Sequence, residues 1–161
     1  MIDIHIDDKN GTFKFRTCII LKYKDKYLLT KMHDNKFYCF PGGHIELGET
    51  TQQGVIREAK EELNIDIKID GLFAIHENLS KNGDKVYHEL GYYYICHADD
   101  ESKLNTQNYI YYENDKGLII KHEFIWVTLE ELKNVVFLPV PIKELLLSKS
   151  NSINNIISTK N

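Results

Sequence analysis

An excess of basic residues is the first thing this sequence lacks. Lys and Arg number 20 against 24 Asp and Glu in 161 residues, giving a formal net charge of −4 and a pI near 6.0, and no run of Lys or Arg stands out. Such a chain has no surface for wrapping DNA by charge alone, and a phosphate-bearing ligand would need a cation to help hold it. Long apolar runs are missing as well. Nothing approaches the roughly 18 consecutive apolar residues of a membrane span. The opening residues Met1-Ile2-Asp3-Ile4-His5-Ile6-Asp7-Asp8 have neither the basic nor the apolar region of a secretory signal. The expectation is a soluble, cytoplasmic protein with no membrane partner. Cys18, Cys39 and Cys96 are odd in number, sit in apolar or aromatic surroundings and show no CxxC or disulfide-framework spacing, so they read as buried small hydrophobes. Arginine is the scarcest cation, with only Arg16 and Arg57.

What is present suffices for one packed domain. The chain is 42% hydrophobic and 27% charged, with no internal repeat. Residues 1–148 read as a single domain and residues 149–161 as a polar, Ser- and Asn-rich tail that frays. Arg16 to Tyr23 and Tyr27 to Thr30 read as two strands around a tight turn. Phe37 to Phe40 reads as a short strand that stops at Pro41-Gly42-Gly43, because proline has no N–H for a ladder. Thr50 followed by Gln53 has capping-box spacing, and Val55, Ile56, Ala59 and Leu63 put an apolar stripe on a helix from about Thr51 to Leu63, with Asn64 as its left-handed stop. Ile65 to Ile69, Leu72 to Glu77, Tyr87 to Cys96 and Phe124 to Val127 read as further strands, and Leu129 to Leu132 as a helical turn. Ile142 to Leu147 reads as a final helix opened by Pro141. Asp99 to Gly117 is polar and reads as a surface excursion around Tyr109 to Tyr112. Strands on both sides of an amphipathic helix make an α/β layered fold with a mixed sheet.

The chemistry concentrates between Gly43 and Ile65. Glu58, Glu61 and Glu62 stand at i, i+3 and i+4, which sets three carboxylates on one helix face beside Arg57. Like charges at that spacing cost a bare helix roughly 0.2–0.5 kcal/mol per pair, a cost a bound divalent cation reverses. Hard cations such as Mg²⁺ take oxygen ligands and keep positions open for phosphate. A solvated acidic helix face is the plainer alternative for the three glutamates taken alone.

The surrounding residues carry a resemblance that favours the cation. Gly43, five residues, Glu49, seven residues, then Arg57-Glu58-Ala59-Lys60-Glu61-Glu62-Leu63-Asn64-Ile65 resembles the Nudix box, G-x5-E-x7-R-E-U-x-E-E-x-G-U with U aliphatic. Every charged position and the first glycine agree; Ala59 is a small aliphatic at the first U, and Asn64 stands for the second glycine. The resemblance implies a Nudix-type α/β/α sandwich with a mixed β-sheet, running from about Arg16 to Val127. It also implies Mg²⁺- or Mn²⁺-dependent hydrolysis of a nucleoside diphosphate linked to another moiety, such as a nucleotide sugar, ADP-ribose or a nucleoside triphosphate. It further implies Glu58 and Glu62 as principal metal ligands, Glu61 as a third or water-mediated one, and the Gly42 carbonyl as a backbone ligand. Glu49 and Arg57 become the pair that orients Glu58. A non-catalytic nucleotide-sensing module on the same fold is the alternative, and a homodimer is left open.

The general base differs among Nudix members: it is either Glu58 in the box or a glutamate from a later segment. Glu123 ranks first among the latter, ahead of Glu113 and Glu89. Arg16 and Gly43 are carried as substrate-binding positions, although a surface ion pair is the plainer reading of Arg16. His44 and His88 read as surface or packing histidines, and Tyr92, Tyr93, Tyr94 and Trp126 as sheet packing rather than base recognition.

Overall fold

The computed structural model describes residues 2–33, 35–115, 117–150 and 152–160. Its organising element is strand β2 (Gly11–Tyr23), whose apolar residues alternate between two cores. Ile19 and Leu21 pack with Val55 and Ala59 of helix α1 (Thr51–Leu63). Cys18 and Ile20 pack with Leu132 of α2 (Leu129–Leu132) and with Ile142 and Leu146 of α3 (Val140–Leu147). A strand's side chains point alternately to its two sides, so α1 covers one face of the sheet and α2 with α3 the other. This is the expected α/β/α layering.

The other strands are β1 (His5–Asp7), β3 (Lys26–Met32), β4 (Ile67–Asn82), β5 (Lys85–Ala98), β6 (Tyr109–Asp115), β7 (Leu118–Thr128) and β8 (Asn154–Lys160). The sheet runs β6-β7-β3-β2-β5-β4-β8, with β1 beside β2. It is mixed: β2 with β5 and β4 with β8 are parallel, and the other pairs are antiparallel.

One irregularity positions the site. β2 and β3 pair only next to their turn, at Lys22 with Tyr27 and Tyr23 with Lys26. Beyond it the segment from Cys39 to Ile45 enters between them. Ile19 and Thr17 of β2 donate backbone N–H groups to the carbonyls of Pro41 and Gly43, and Thr30 of β3 exchanges bonds with Cys39. The box is therefore threaded through the middle of the sheet.

Several elements differ from expectation. Phe37 to Phe40 makes only isolated bridges, Tyr38 with Phe137 and Cys39 with Thr30, because Pro41 interrupts any ladder. Ile65 to Ile69 and Leu72 to Glu77 belong largely to one long strand, β4, with register shifts at Ile69/Gly71 and Leu72/Ala74. The excursion holds a 3-10 turn (Glu101–Lys103) and then β6, which forms a hairpin with β7. The final helix starts at Val140, with Pro139 as its cap and Pro141 inside its first turn. The tail does not fray throughout: Asn154–Lys160 forms edge strand β8, because β4 satisfies its backbone and Ile156 packs on the core. Among the described residues no helix is long and apolar enough to cross a membrane.

Candidate active site

Helix α1 begins with a complete capping box. The Thr50 hydroxyl accepts the Gln53 N–H, and the Gln53 side chain accepts the Thr50 N–H. It ends at Asn64, whose φ of 53° is left-handed, so asparagine performs the stop at the second glycine position of the pattern. Between these ends the helix buries Val55 and Ala59, and also Glu58 and Glu62, which are 7% and 9% exposed. Carboxylates are almost never that buried without a partner.

Arg57 supplies most of the partners. Its Nε and Nη2 make a two-pronged bond to Glu49, at 3.2 Å and 2.7 Å. Nη2 also donates to the His44 carbonyl at 2.8 Å, while Nη1 donates to Glu58 Oε1 and Glu61 Oε2, both at 2.8 Å. One guanidinium thus ties the loop before the helix to two carboxylates on it, which is the planar, many-donor geometry that Arg offers and Lys does not. Glu49 is further held by the Glu46 N–H at 2.7 Å, and the Glu46 carboxylate lies 3.6 Å from Arg57 Nε. Gly54 lets the loop sit close on the helix, since a Cβ there would meet Ile45 Cδ1 at 2.6 Å and Glu49 Oε1 at 3.1 Å.

The two glycines of the loop meet the two buried glutamates. The Gly42 N–H donates to Glu62 Oε2 at 2.9 Å. A Cβ on Gly43 would lie 2.3 Å from Glu58 Oε1, so only glycine leaves room for that carboxylate. Gly42, at φ 137°, would drive a Cβ to 2.2 Å from the Thr17 carbonyl. The Gly42 carbonyl accepts from Arg16 Nη2 at 2.8 Å.

The electrostatics separate these carboxylates. Burial pushes the Glu58 carboxyl up to about 7, against the pull of Arg57 and with a further push from Glu61. Burial also raises Glu49, but Arg57 and the Glu46 N–H outweigh it and hold the group below its ordinary value. The hydrogen bond to Glu49 is the main reason that Arg57 is held protonated more firmly than usual. Glu58 lies in the C-terminal half of the helix, toward the negative end of its dipole. Its surroundings suit a cation.

The donors fit a hard cation: carboxylate oxygens of Glu58 and Glu62 and the Gly42 carbonyl, with no nitrogen or sulfur among them. Glu61 is turned outward and is held by Arg57. Among the described residues no three His, Cys, Asp or Glu side chains converge at metal-binding spacing, so the backbone carbonyl is needed to complete the oxygen set.

The remaining candidates are dispersed. Glu123 of β7 lies on the opposite sheet face from α1, because its neighbours Phe124 and Trp126 pack with the α1 core. It accepts a short hydrogen bond from the Tyr38 hydroxyl and pairs with Lys31 at 3.0 Å, and these contacts, Tyr38 foremost, hold its carboxyl below the ordinary value. Glu89 stands 3.9 Å from Arg16. The Glu113 side chain lies outside the described residues. His88 contacts Glu77, while Tyr93, Tyr94 and Trp126 are buried in the two cores. Cys18 and Cys96 are buried and Cys39 is half-buried; all three are free, with thiols pushed up by burial to about 12, 12 and 11.

Sequence reasoning missed Glu46 and the His44 carbonyl as partners of the clamp. Glu46, three residues before Glu49 in the loop that Arg57 closes, was the available signal. The Tyr38–Glu123–Lys31 set left none, since its members come from separate elements.

Comparison with known proteins agrees with this geometry. The NUDIX domain family model matches residues 14–146. An ADP-ribose pyrophosphatase from Methanocaldococcus jannaschii is 36% identical over 62 residues, covering 37% of each chain. A Bacillus subtilis protein named "Putative 8-oxo-dGTP diphosphatase YtkD" is 34% identical over 105 residues, 65% of this chain and 60% of that one. These alignments thus cover less than two thirds of either relative. A crystal structure of a NUDIX hydrolase from Nitrosomonas europaea superposes with a TM-score of 0.60 at 21% identity, over 95% of this chain and 81% of that one, which speaks to the fold. With a family model spanning most of its length and the box folded around Arg57, the chain belongs to the Nudix family.

Proposed function

We propose that this chain is a divalent-cation-dependent pyrophosphohydrolase that cleaves a nucleoside diphosphate linked to another moiety by attack of water at phosphorus. The observation that carries the reading is the burial of Glu58 and Glu62, one helical turn apart, against the glycine pair Gly42 and Gly43. Family members generally use divalent metal ions. Here Glu58, Glu62 and the Gly42 carbonyl would hold Mg²⁺ or Mn²⁺, and Glu61 is near enough on the helix to act through a water. When bound, the ion neutralises phosphate charge and makes a coordinated water acidic.

The chain's own residues do the rest. Arg57 positions Glu58, and Glu49 holds Arg57 from the loop side, so the reacting carboxylate is fixed before substrate arrives. Gly43 leaves the space into which Glu58 projects. Glu58 takes the proton of the attacking water; the water oxygen bonds to phosphorus, and the bridging oxygen leaves with the electron pair of the broken P–O bond. Glu123 is bound to Tyr38 and Lys31, which favours Glu58 as base. Arg16, at the Gly42 carbonyl, is placed to meet substrate oxygens. Three free cysteines fit a reducing cytoplasm, where such nucleotides occur.

The test is hydrolysis of a panel of nucleoside triphosphates, nucleotide sugars, ADP-ribose and dinucleoside polyphosphates with Mg²⁺ or Mn²⁺, with Glu62→Gln alongside. Turnover of one class that disappears in the variant is the expected result. Nucleotide binding without turnover of any substrate would replace this reading with the sensing module.

A further inference from the structure

A cationic row lies on the sheet face opposite α1, next to the box. Lys14 and Arg16 stand two residues apart on β2, in unbroken parallel register with β5, on the side that carries Cys18 and Ile20. His5 is the cross-strand partner of Lys14, and His44 bridges to Arg16. The rings of His5 and His44 stack at 4.9 Å with 6° between their planes, which places all four side chains on one face. Two carboxylates adjoin the row: Asp3, whose charge acts on His44, and Glu89. Glu89 faces Lys14 across β2 and β5 and stands 3.9 Å from Arg16 Nη1, beyond hydrogen-bond range.

The row is short of acceptors. Arg16 has five N–H donors. It uses one in a hydrogen bond, from Nη2 to the Gly42 carbonyl, while its Nε is buried with no partner among the described residues. His44 Nε2 is likewise buried without a partner. The Lys14 ammonium has no ion pair or hydrogen bond within the described residues. Native proteins pair nearly all such groups, and those left over mark the place of a water or a ligand.

Their position says which ligand. Arg16 touches the carbonyl that completes the oxygen set with Glu58 and Glu62, so any oxygen Arg16 holds adjoins a diphosphate seated there. Lys14 lies a further two residues along β2, about 7 Å at the rise of a strand. Resting on the pyrophosphohydrolase reading above, we propose that Arg16 and Lys14 form a subsite for phosphate oxygens beyond the two phosphates at the box. The preferred substrates are then nucleotides with three or more linked phosphates. ADP-ribose and nucleotide sugars carry uncharged groups on both sides of their diphosphate and leave two cations in line without a counterpart.

The test is calorimetric titration of the full chain in Mg²⁺ with inorganic pyrophosphate and with inorganic tripolyphosphate. The wild-type protein is expected to bind tripolyphosphate about tenfold more tightly, as one charge-assisted hydrogen bond allows. Lys14→Gln and Arg16→Gln each bring that ratio toward one, and Arg16→Lys keeps part of it. Lys14 is only partly buried, so its variant tests the proposal even where Arg16 variants fold poorly. A companion measurement compares kcat/KM for ATP and ADP-ribose, and Lys14→Gln lowers their ratio through the KM for ATP. Equal affinity for the two phosphates in the wild type, or a ratio unmoved by Lys14→Gln and Arg16→Gln, overturns the inference alone. Absence of Mg²⁺-dependent pyrophosphate binding that Glu62→Gln abolishes overturns the pyrophosphohydrolase reading along with it.

Discussion

Glu58 and Glu123 occupy opposite faces of one sheet, each touching a cation, and their protonation moves in opposite directions. Glu58 is buried on α1 and shares Arg57 with Glu46, Glu49 and Glu61, so the guanidinium does not offset its desolvation and its carboxyl rises to about 7. Glu123 is more open, and the Tyr38 hydroxyl and Lys31 serve it alone among the described carboxylates, so its carboxyl falls below the ordinary value. The difference teaches that proximity to a positive side chain does not by itself settle a carboxylate. The count of groups drawing on that charge and the water excluded from it matter as much. Glu123 is a satisfied ion pair, whereas Glu58 keeps a raised carboxyl despite its bond to Arg57.

The largest expected effect follows directly. Glu58→Gln keeps the size of the side chain but removes the carboxylate that the proposed function makes both cation ligand and proton acceptor, and should lower kcat by about 10²–10⁴-fold. Glu123→Gln should stay within about threefold of wild type, since its carboxylate is already engaged by the Tyr38 hydroxyl and Lys31. Steady-state kinetics on one substrate of the panel checks both. A loss at Glu123 comparable to that at Glu58 would erase the contrast.

Arg57→Ala comes next. It leaves Glu49, Glu58 and Glu61 without their shared partner and should cost about 3 kcal/mol of stability, the scale of breaking a mostly buried pair by removing one side. Urea unfolding measures it. Tyr38→Phe, which removes a single donor from Glu123, should cost about 1 kcal/mol.

These contrasts also show what the chain made legible. The capping box at Thr50, the left-handed stop at Asn64 and the glutamate spacing are local, and each could be read from neighbours within one or two helical turns. The Arg57–Glu49 pair spans eight residues and was legible through the family pattern. The engagement of Glu123 was not legible because its partner Tyr38 lies 85 residues away, and no local pattern announces a partner at that distance. β8 was hidden for a similar reason. A polar tail with one inward-facing isoleucine becomes a strand only because the edge of β4 is there to receive it. The threading of Cys39 to Ile45 between β2 and β3 was likewise invisible, since proline and glycines announce a loop but not where it goes.

A smaller effect tests the geometry of the box. Gly43→Ala places a methyl group where the Glu58 carboxylate stands, and the side chain must turn away. Activity should fall at least about tenfold while stability changes by only about 1–3 kcal/mol, the usual cost of one added methyl in a packed place. The corresponding change at Gly71, where a Cβ would meet nothing, should leave activity unaltered.

The smallest effects are in pH dependence, and they have opposite signs on the two faces. A carboxyl raised in the folded state contributes stability at low pH that is lost as pH rises through its folded value; one lowered in the folded state contributes stability at higher pH that is lost as pH falls. In metal-free protein the stability of Glu58→Gln relative to wild type should therefore increase as pH rises through about 7. The deficit of Glu123→Gln should shrink as pH falls below the ordinary carboxyl value of 4.5. Thermal melts in chelator from about pH 2 to about pH 8 read both. Curves that move together would mean the two carboxylates share one environment.

The most direct test of the division between the faces needs no substrate. Titration of Mn²⁺ followed by the free-ion electron paramagnetic resonance signal reports cation binding by the protein alone. Wild type and Glu123→Gln should bind alike, and Glu58→Gln and Glu62→Gln should each bind at least about tenfold more weakly, as expected when one of a few oxygen ligands is lost. Equal binding by all four proteins, or loss confined to Glu123→Gln, would contradict the account.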